Sequence, residues 1–243
     1  MDSHTVTLNA RAWAGGGTVD SETVNNTTSP VTITKSVTPG ATTFFTITPS
    51  AGSTPTVTGC EGLLSGTSPN YTYTTEAINA DCTVTATFSL NSYTVTGSAP
   101  GAGSGGSIAP PTRTVSYNTP ATFTITPDWG YSIDSVNGCS GTLSGNIYTT
   151  GAVTTNCTVT AAFIINSYTV TGLATANGSI APAGDQTVNH DGTIAFTITP
   201  DSGYEINYVL GCNGVLSGTS PNYTYTTGAI TGPCKVIVFF RSH

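Results

Sequence analysis

Three near-copies of one cysteine-paired unit, each about 75 residues long, fill the chain, and no other feature restricts its fold so strongly. The second and third copies both open on NSYTVTG, at Asn91 and Asn166. Each then runs through GSIAP, FTITPD, GY, GC and a closing cysteine-led strand. The first copy is more diverged but keeps FTITP from Phe45 and CTVTATF from Cys82. The repeat boundaries are read as 1–90, 91–165 and 166–243. A chain built this way is an array of small modules, and arrays serve reach or multivalent contact more often than chemistry.

Modules of this size sit near the lower limit at which an apolar core sustains a fold unaided. Only 7% of the residues are charged, whereas threonine alone makes up about a fifth of the chain. Its β-branched side chain suits a half-exposed sheet face, and no long helical periodicity interrupts the pattern. The net charge of −7 divides as −4, −1 and −2 over the three copies. Five basic residues cannot form a phosphate-neutralising stripe, so no nucleic-acid partner is expected. No apolar run reaches membrane-spanning length, so no membrane insertion is expected. The opening MDSHTVTLNA lacks the basic-then-apolar order of a secretion signal. Either a mature fragment or another export route is therefore expected.

The six cysteines fall two to a copy: Cys60 and Cys82, Cys139 and Cys157, Cys212 and Cys234. The middle pair is four residues closer than the others, and LSGTSPNYTYTT has shortened to LSGNIYTT in the same interval. A hairpin trimmed between two fixed anchors produces this spacing, so the cysteines are paired within each copy. Closing a loop of about 20 residues stabilises a module by roughly 3 kcal/mol in the chain-entropy treatment. Zinc is not expected, because CxxC spacing is absent and only three scattered histidines occur. Disulfides place the protein in an oxidising, extracellular or cell-surface setting.

Within the second copy, SYTVTG, ATFTITPD and CTVTAAF alternate apolar and hydroxyl residues with the period of a half-buried strand. Shorter candidates lie at 107–109, 114–117, 131–136 and 147–149, punctuated by Gly, Pro and Asn. Seven short strands per module predict an all-β class: three tandem small β-sandwiches or β-rolls, each with one disulfide. Only four residues separate Phe88 from Tyr93 and Phe163 from Tyr168, so the modules are expected end to end as a semi-rigid rod. The last strand of the third copy departs from the others. Ile237 and Phe239 stand where Thr85, Thr87, Thr160 and Ala162 stood, and they are a candidate assembly surface.

Candidate chemistry is sparse. Asp128 and Asp134, and Asp201 and Glu205, form carboxylate pairs of the kind a glycosidase would place across a cleft. The first copy lacks both, however, and PDxGY reads as a turn after a strand. His190 beside Asp191, with Asp185 nearby, has no accompanying nucleophile motif or calcium-loop pattern. Neither an enzyme nor a cofactor nor a metal site is expected. Trp13, Trp129, Tyr131, Tyr204 and Tyr208 are candidate ligand-facing aromatics for a glycan. Tyr71, Tyr73, Tyr223 and Tyr225 share one face per strand, which could be core or surface. Sequons at Asn26, Asn70, Asn156, Asn177 and Asn222 carry little weight in so Thr- and Asn-rich a chain.

The string YTVTG…GSIAP…FTITPDSGY…GC.G.LSG…CTVTAAF resembles divergent relatives of the internalin B-type repeat, the Listeria–Bacteroides type of bacterial surface repeat. The resemblance extends over nearly the whole chain, three times. It implies a β-rich, β-grasp-like repeat from a large secreted or surface protein, acting as a spacer or adhesive stalk. It transfers no active-site residue. The cysteine pair and the GxLSG hairpin depart from that pattern. A structural or adhesive stalk, or the subunit of a self-assembling filament, is the expected function; a carbohydrate-binding array is the alternative. Expected partners are further copies of the chain, neighbouring domains or glycans.

Overall fold

Alternating Thr with Val, Ile or Phe gives each strand one apolar and one hydroxyl face, and two such strands sets bury their apolar faces against each other. The computed structural model describes residues 3–26, 30–101 and 104–243, and in it every copy folds as a two-sheet β-sandwich. No helix occurs among the described residues. The third residue of the sequon at Asn26 lies outside them.

In the first copy the opening strand His4–Ala12 pairs antiparallel with Val31–Val37 and parallel with the closing strand Cys82–Leu90. Ser53–Thr58 completes that sheet. The second copy repeats the order with Thr112–Ser116, Ser92–Ser98, Cys157–Ile165 and Tyr131–Asn137. The third repeats it with Gly184–Asn189, Ser167–Ala174, Cys234–Ser242 and Tyr204–Leu210. The facing sheets are antiparallel throughout. That of the second copy runs Gly106–Ala109, Thr122–Pro127, Ile147–Thr149, Thr142–Ser144, and that of the third Gly178–Ala181, Ala195–Pro200, Asn222–Thr226, Val215–Thr219. The first copy has Gly16–Val19, Phe44–Pro49, Asn70–Thr74 and Leu63–Thr67, plus an extra edge strand, Glu22–Asn25.

The second and third copies therefore carry eight strands, one more than alternation predicts. The added strand, Thr142–Ser144 in the second copy, is exposed at every position, so it offers no period-two signal. Its hairpin is the segment that differs between copies: three residue pairs in the second, five in the first and third. Bulges at Asp134 and Asn207 absorb one residue that Ser53–Thr58 does not have. Closing-strand residues fill each core, such as Val84, Ala86 and Phe88 against Leu8, Phe45 and Ile47.

Disulfides join Cys60 to Cys82, Cys139 to Cys157 and Cys212 to Cys234, with Cα separations of 5.6, 5.8 and 5.7 Å. The GC motif explains their placement. Gly59–Cys60–Glu61–Gly62 is a tight turn whose central residues both have positive φ, and the same turn recurs at Cys139 and Cys212. A Cβ on Gly59, Gly138 or Gly211 would run into the carbonyl of Thr83, Thr158 or Lys235 on the closing strand. Each turn carbonyl also accepts a buried phenol: Tyr73 to Gly59 at 2.5 Å, Tyr148 to Gly138 and Tyr225 to Gly211 at 2.6 Å. The Tyr-Thr-Tyr strand thus turns its two tyrosines to different degrees of burial. Its second tyrosine is core, while Tyr71 and Tyr223 are half-buried.

Candidate functional site

The segment read as an ordinary turn is a turn, and it builds the contact between modules. The fourth residue of Ser50–Ser53, Asp128–Tyr131 and Asp201–Tyr204 donates its N–H to the carbonyl of the first at 2.9, 3.0 and 3.0 Å. Glycine fills the third position of each turn, with φ of 72°, 81° and 83°, a region where a side chain is strained. The bare backbone at Gly52 and Gly130 then admits an aromatic ring from the following module. A Cβ on Gly52 would fall on Cγ, Cδ1 and Cδ2 of Tyr117, and one on Gly130 on Cδ2, Cγ and Nε2 of His190. Three adjacent ring atoms all close to one point place that point over the ring face, the electron-rich side that attracts C–H groups.

One asparagine locks each contact. The N–H groups of Asn91 and Asn166 donate to the carbonyls of Gly52 and Gly130 at 2.7 and 2.8 Å. Their own carbonyls accept the N–H groups of Tyr117 and His190, both at 2.8 Å. Their side-chain oxygens accept the hydroxyls of Thr54 and Ser132, both at 2.6 Å. The repeated NSY opening is thus a connector. Its tyrosine also packs on the inserted ring, with centroids 6.4 Å apart for Tyr93–Tyr117 and 6.0 Å for Tyr168–His190.

His190 is therefore an inter-module plug. It is buried, neither ring nitrogen has a hydrogen-bond partner, and the nearest carboxylate oxygen, on Asp191, stands 3.6 Å away. Asp185 accepts instead from the hydroxyl of Thr171. Among the described residues no group of three or more His, Cys, Asp or Glu is placed to hold a metal. Of the carboxylate pairs, Glu205 binds Arg241 at 2.7 Å, Asp134 is exposed at its bulge, and the backbone carbonyls of Asp128 and Asp201 close their turns.

Of the candidate aromatics, the structure gathers Trp129 and Tyr131 with Tyr168 and His190 in a groove at the second junction. Trp129 meets His190 edge-on at 5.5 Å yet stays 81% exposed. Trp13 lies apart, beside Arg11, Asn26 and Pro30. Tyr204 borders the third turn, and Tyr208 stacks on Phe239 at 4.5 Å. Ile237 and Phe239 are half-buried beside Leu173, Tyr208 and Leu210 in the sheet, forming an apolar strip on the third module.

Repeated sandwiches, one disulfide each and a repeated locked connector define a disulfide-stapled tandem β-repeat protein. Residues 168–235 match the family model described as the divergent InlB B-repeat domain. The third module is thus similar to that family over this stretch, and the motifs repeated in the other two modules are similar in turn. No curated protein sequence matches the chain. Among solved structures, the Bacillus anthracis TIE protein aligns over 98% of this chain and 51% of its own, at 8% identity and a TM-score of 0.39. The chain thus spans about half the length of that protein. The I9–I11 tandem of titin aligns over 98% and 97%, at 7% identity and a TM-score of 0.16. At these scores neither likeness carries an argument.

Proposed function

We propose that this protein is a non-catalytic extracellular or cell-surface spacer, a stalk whose modules hold a fixed relative orientation. The observation that carries the reading is the connector. Asn91 and Asn166 each make two hydrogen bonds to the preceding module and a third to the turn of their own module whose aromatic ring closes on the preceding module's glycine. A flexible string of domains has no use for such contacts. One disulfide per module fits an oxidising setting, as does the third module's likeness to the divergent InlB B-repeat domain. No helix among the described residues is long and apolar enough to cross a membrane. NMR relaxation tests the spacer: a common tumbling time for all three modules supports it, and independent tumbling of any one sinks it.

Use of the stalk as a filament subunit rests on the apolar strip at Ile237 and Phe239, which has no counterpart on the other modules. The carbohydrate-binding reading has one observation in its favour, the exposed Trp129 over the junction groove. The equivalent turns carry Ala51 and Ser202, so this tryptophan does not recur from module to module as an array would need. Retention on insoluble polysaccharide that Trp129→Ala abolishes would favour it.

A further inference from the structure

The third module repeats the receiving half of a junction with nothing in it. Gly203 sits in the same turn as Gly52 and Gly130 with the same left-handed φ, yet it is exposed and has no atom within 4 Å of a built Cβ. Positive φ alone accounts for a glycine at this position. The strand leaving the module is also posed as at the two filled junctions. His243 occupies the place of Asn91 and Asn166, and its N–H donates to the Gly203 carbonyl at 3.2 Å. The side-chain hydrogen bond of the filled junctions is not made here, because Glu205 stands at the Thr54 and Ser132 position and binds Arg241 at 2.7 Å. Thr54 and Ser132 donate to an asparagine oxygen, whereas Glu205 offers a carboxylate oxygen 3.9 Å from Nδ1 of His243.

We propose that the Gly203 face is a third junction that receives the aromatic turn of a further β module of the second or third module's kind, entering beside His243. This rests on the spacer reading. A second copy of the chain does not supply the plug. In its first module Pro39 holds the plug position, as the bond from Gly40 N–H to the Ile78 carbonyl shows by matching Asn118 to Val153 and Asp191 to Ile230. In its other modules Tyr117 and His190 are already seated on their own glycines.

The ring face over glycine supplies the readout, because an overlying ring moves glycine α-proton resonances upfield. In the 243-residue chain Gly52 and Gly130 should be shifted upfield and Gly203 should not. Two extended chains test the proposal, one carrying residues 92–165 after His243 and the other residues 167–243, so that one misfolded addition does not end the experiment. Gly203 should then move upfield in a folded extension and return when the added ring is removed by Tyr117→Ala or His190→Ala in the appended copy. An unmoved Gly203 beside a folded fourth module overturns the proposal. So does a concentration-dependent upfield shift in the unextended chain, which would make the occupant a second copy. Ordinary shifts at Gly52 and Gly130 would instead defeat the spacer reading itself.

Discussion

The phenol of Tyr73 donates to the carbonyl of Gly59 at 2.5 Å, tying the core of one sheet to the turn that holds Cys60. Burial pushes this phenol up from its ordinary value, against the opposing hydrogen bond from the Gly62 N–H. A folded value above the unfolded one, about 10, means that the contribution is whole below pH 10 and is lost as pH rises through the folded value. Tyr73→Phe should lower stability at neutral pH by about 1–3 kcal/mol, since a buried carbonyl loses its donor. The variant should also lose less stability than the parent above pH 10, read by urea unfolding across that range. Equal alkaline losses in both chains would contradict the assignment.

Asp20 joins the two sheets of the first module. Its carboxylate binds Lys35 at 2.6 Å and accepts the N–H and hydroxyl of Thr46 at 2.7 and 3.0 Å. Burial raises its pKa, but the hydrogen bonds from Lys35 and Thr46 outweigh this and hold it below the ordinary carboxylate value. Its contribution is therefore present above about pH 4 and lost as pH falls through the lower folded value. Asp20→Asn should cost about 1 kcal/mol at pH 7, because partial exposure screens the pair. The gap to the parent should narrow in acid, and a constant gap from pH 7 to 2 would refute the account.

Where the sequence repeats three times, the structure was legible in it. The disulfide pairing followed from the shortened LSGNIYTT hairpin, and the all-β class from threonine alternation, while the choice between sandwich and roll stayed open. What stayed hidden lay in backbone geometry. PDxGY reads as a turn whether or not a ring lies on its glycine, and only the constancy of Gly52, Gly130 and Gly203 beside changing neighbours hinted at more. His190 looked like a loop histidine because its equivalent is Tyr117 in one copy and Pro39 in another. No single-residue motif could mark a position whose identity varies while its contact persists.

Removing one staple should destabilise one module. Cys139→Ser with Cys157→Ser deletes the bond that closes the 18-residue separation in the second module. About 3 kcal/mol should be lost, with hydrogen exchange accelerating in residues 92–165 before the flanking modules. Uniform acceleration along the chain would mean that the three modules unfold as one unit.

Ile237 and Phe239 replace hydroxyl-bearing positions with an apolar strip flanked by Tyr208 and Leu210. Ile237→Thr with Phe239→Thr should reduce self-association measured by sedimentation. It should also cost the third module about 0.5–1.5 kcal/mol beyond lost burial, since the Tyr208 stack disappears. Unchanged association with only the stability loss would leave the strip a local packing feature.

Gly130 and Gly203 form a matched pair for isolating the connector. Both have left-handed φ, 81° and 83°, so alanine imposes a similar backbone penalty at either site, on the order of 1–2 kcal/mol. Their surroundings differ: a Cβ at Gly130 meets the ring of His190, whereas one at Gly203 meets nothing within 4 Å. Gly203→Ala should therefore lower the stability of the third module slightly and leave the rod's maximum dimension unchanged in small-angle scattering. Gly130→Ala should expel His190, and the second and third modules should then reorient freely while each keeps its disulfide and its dispersed spectrum. If the two variants behave alike, strain in the turn governs the junction and the ring contributes nothing to its rigidity.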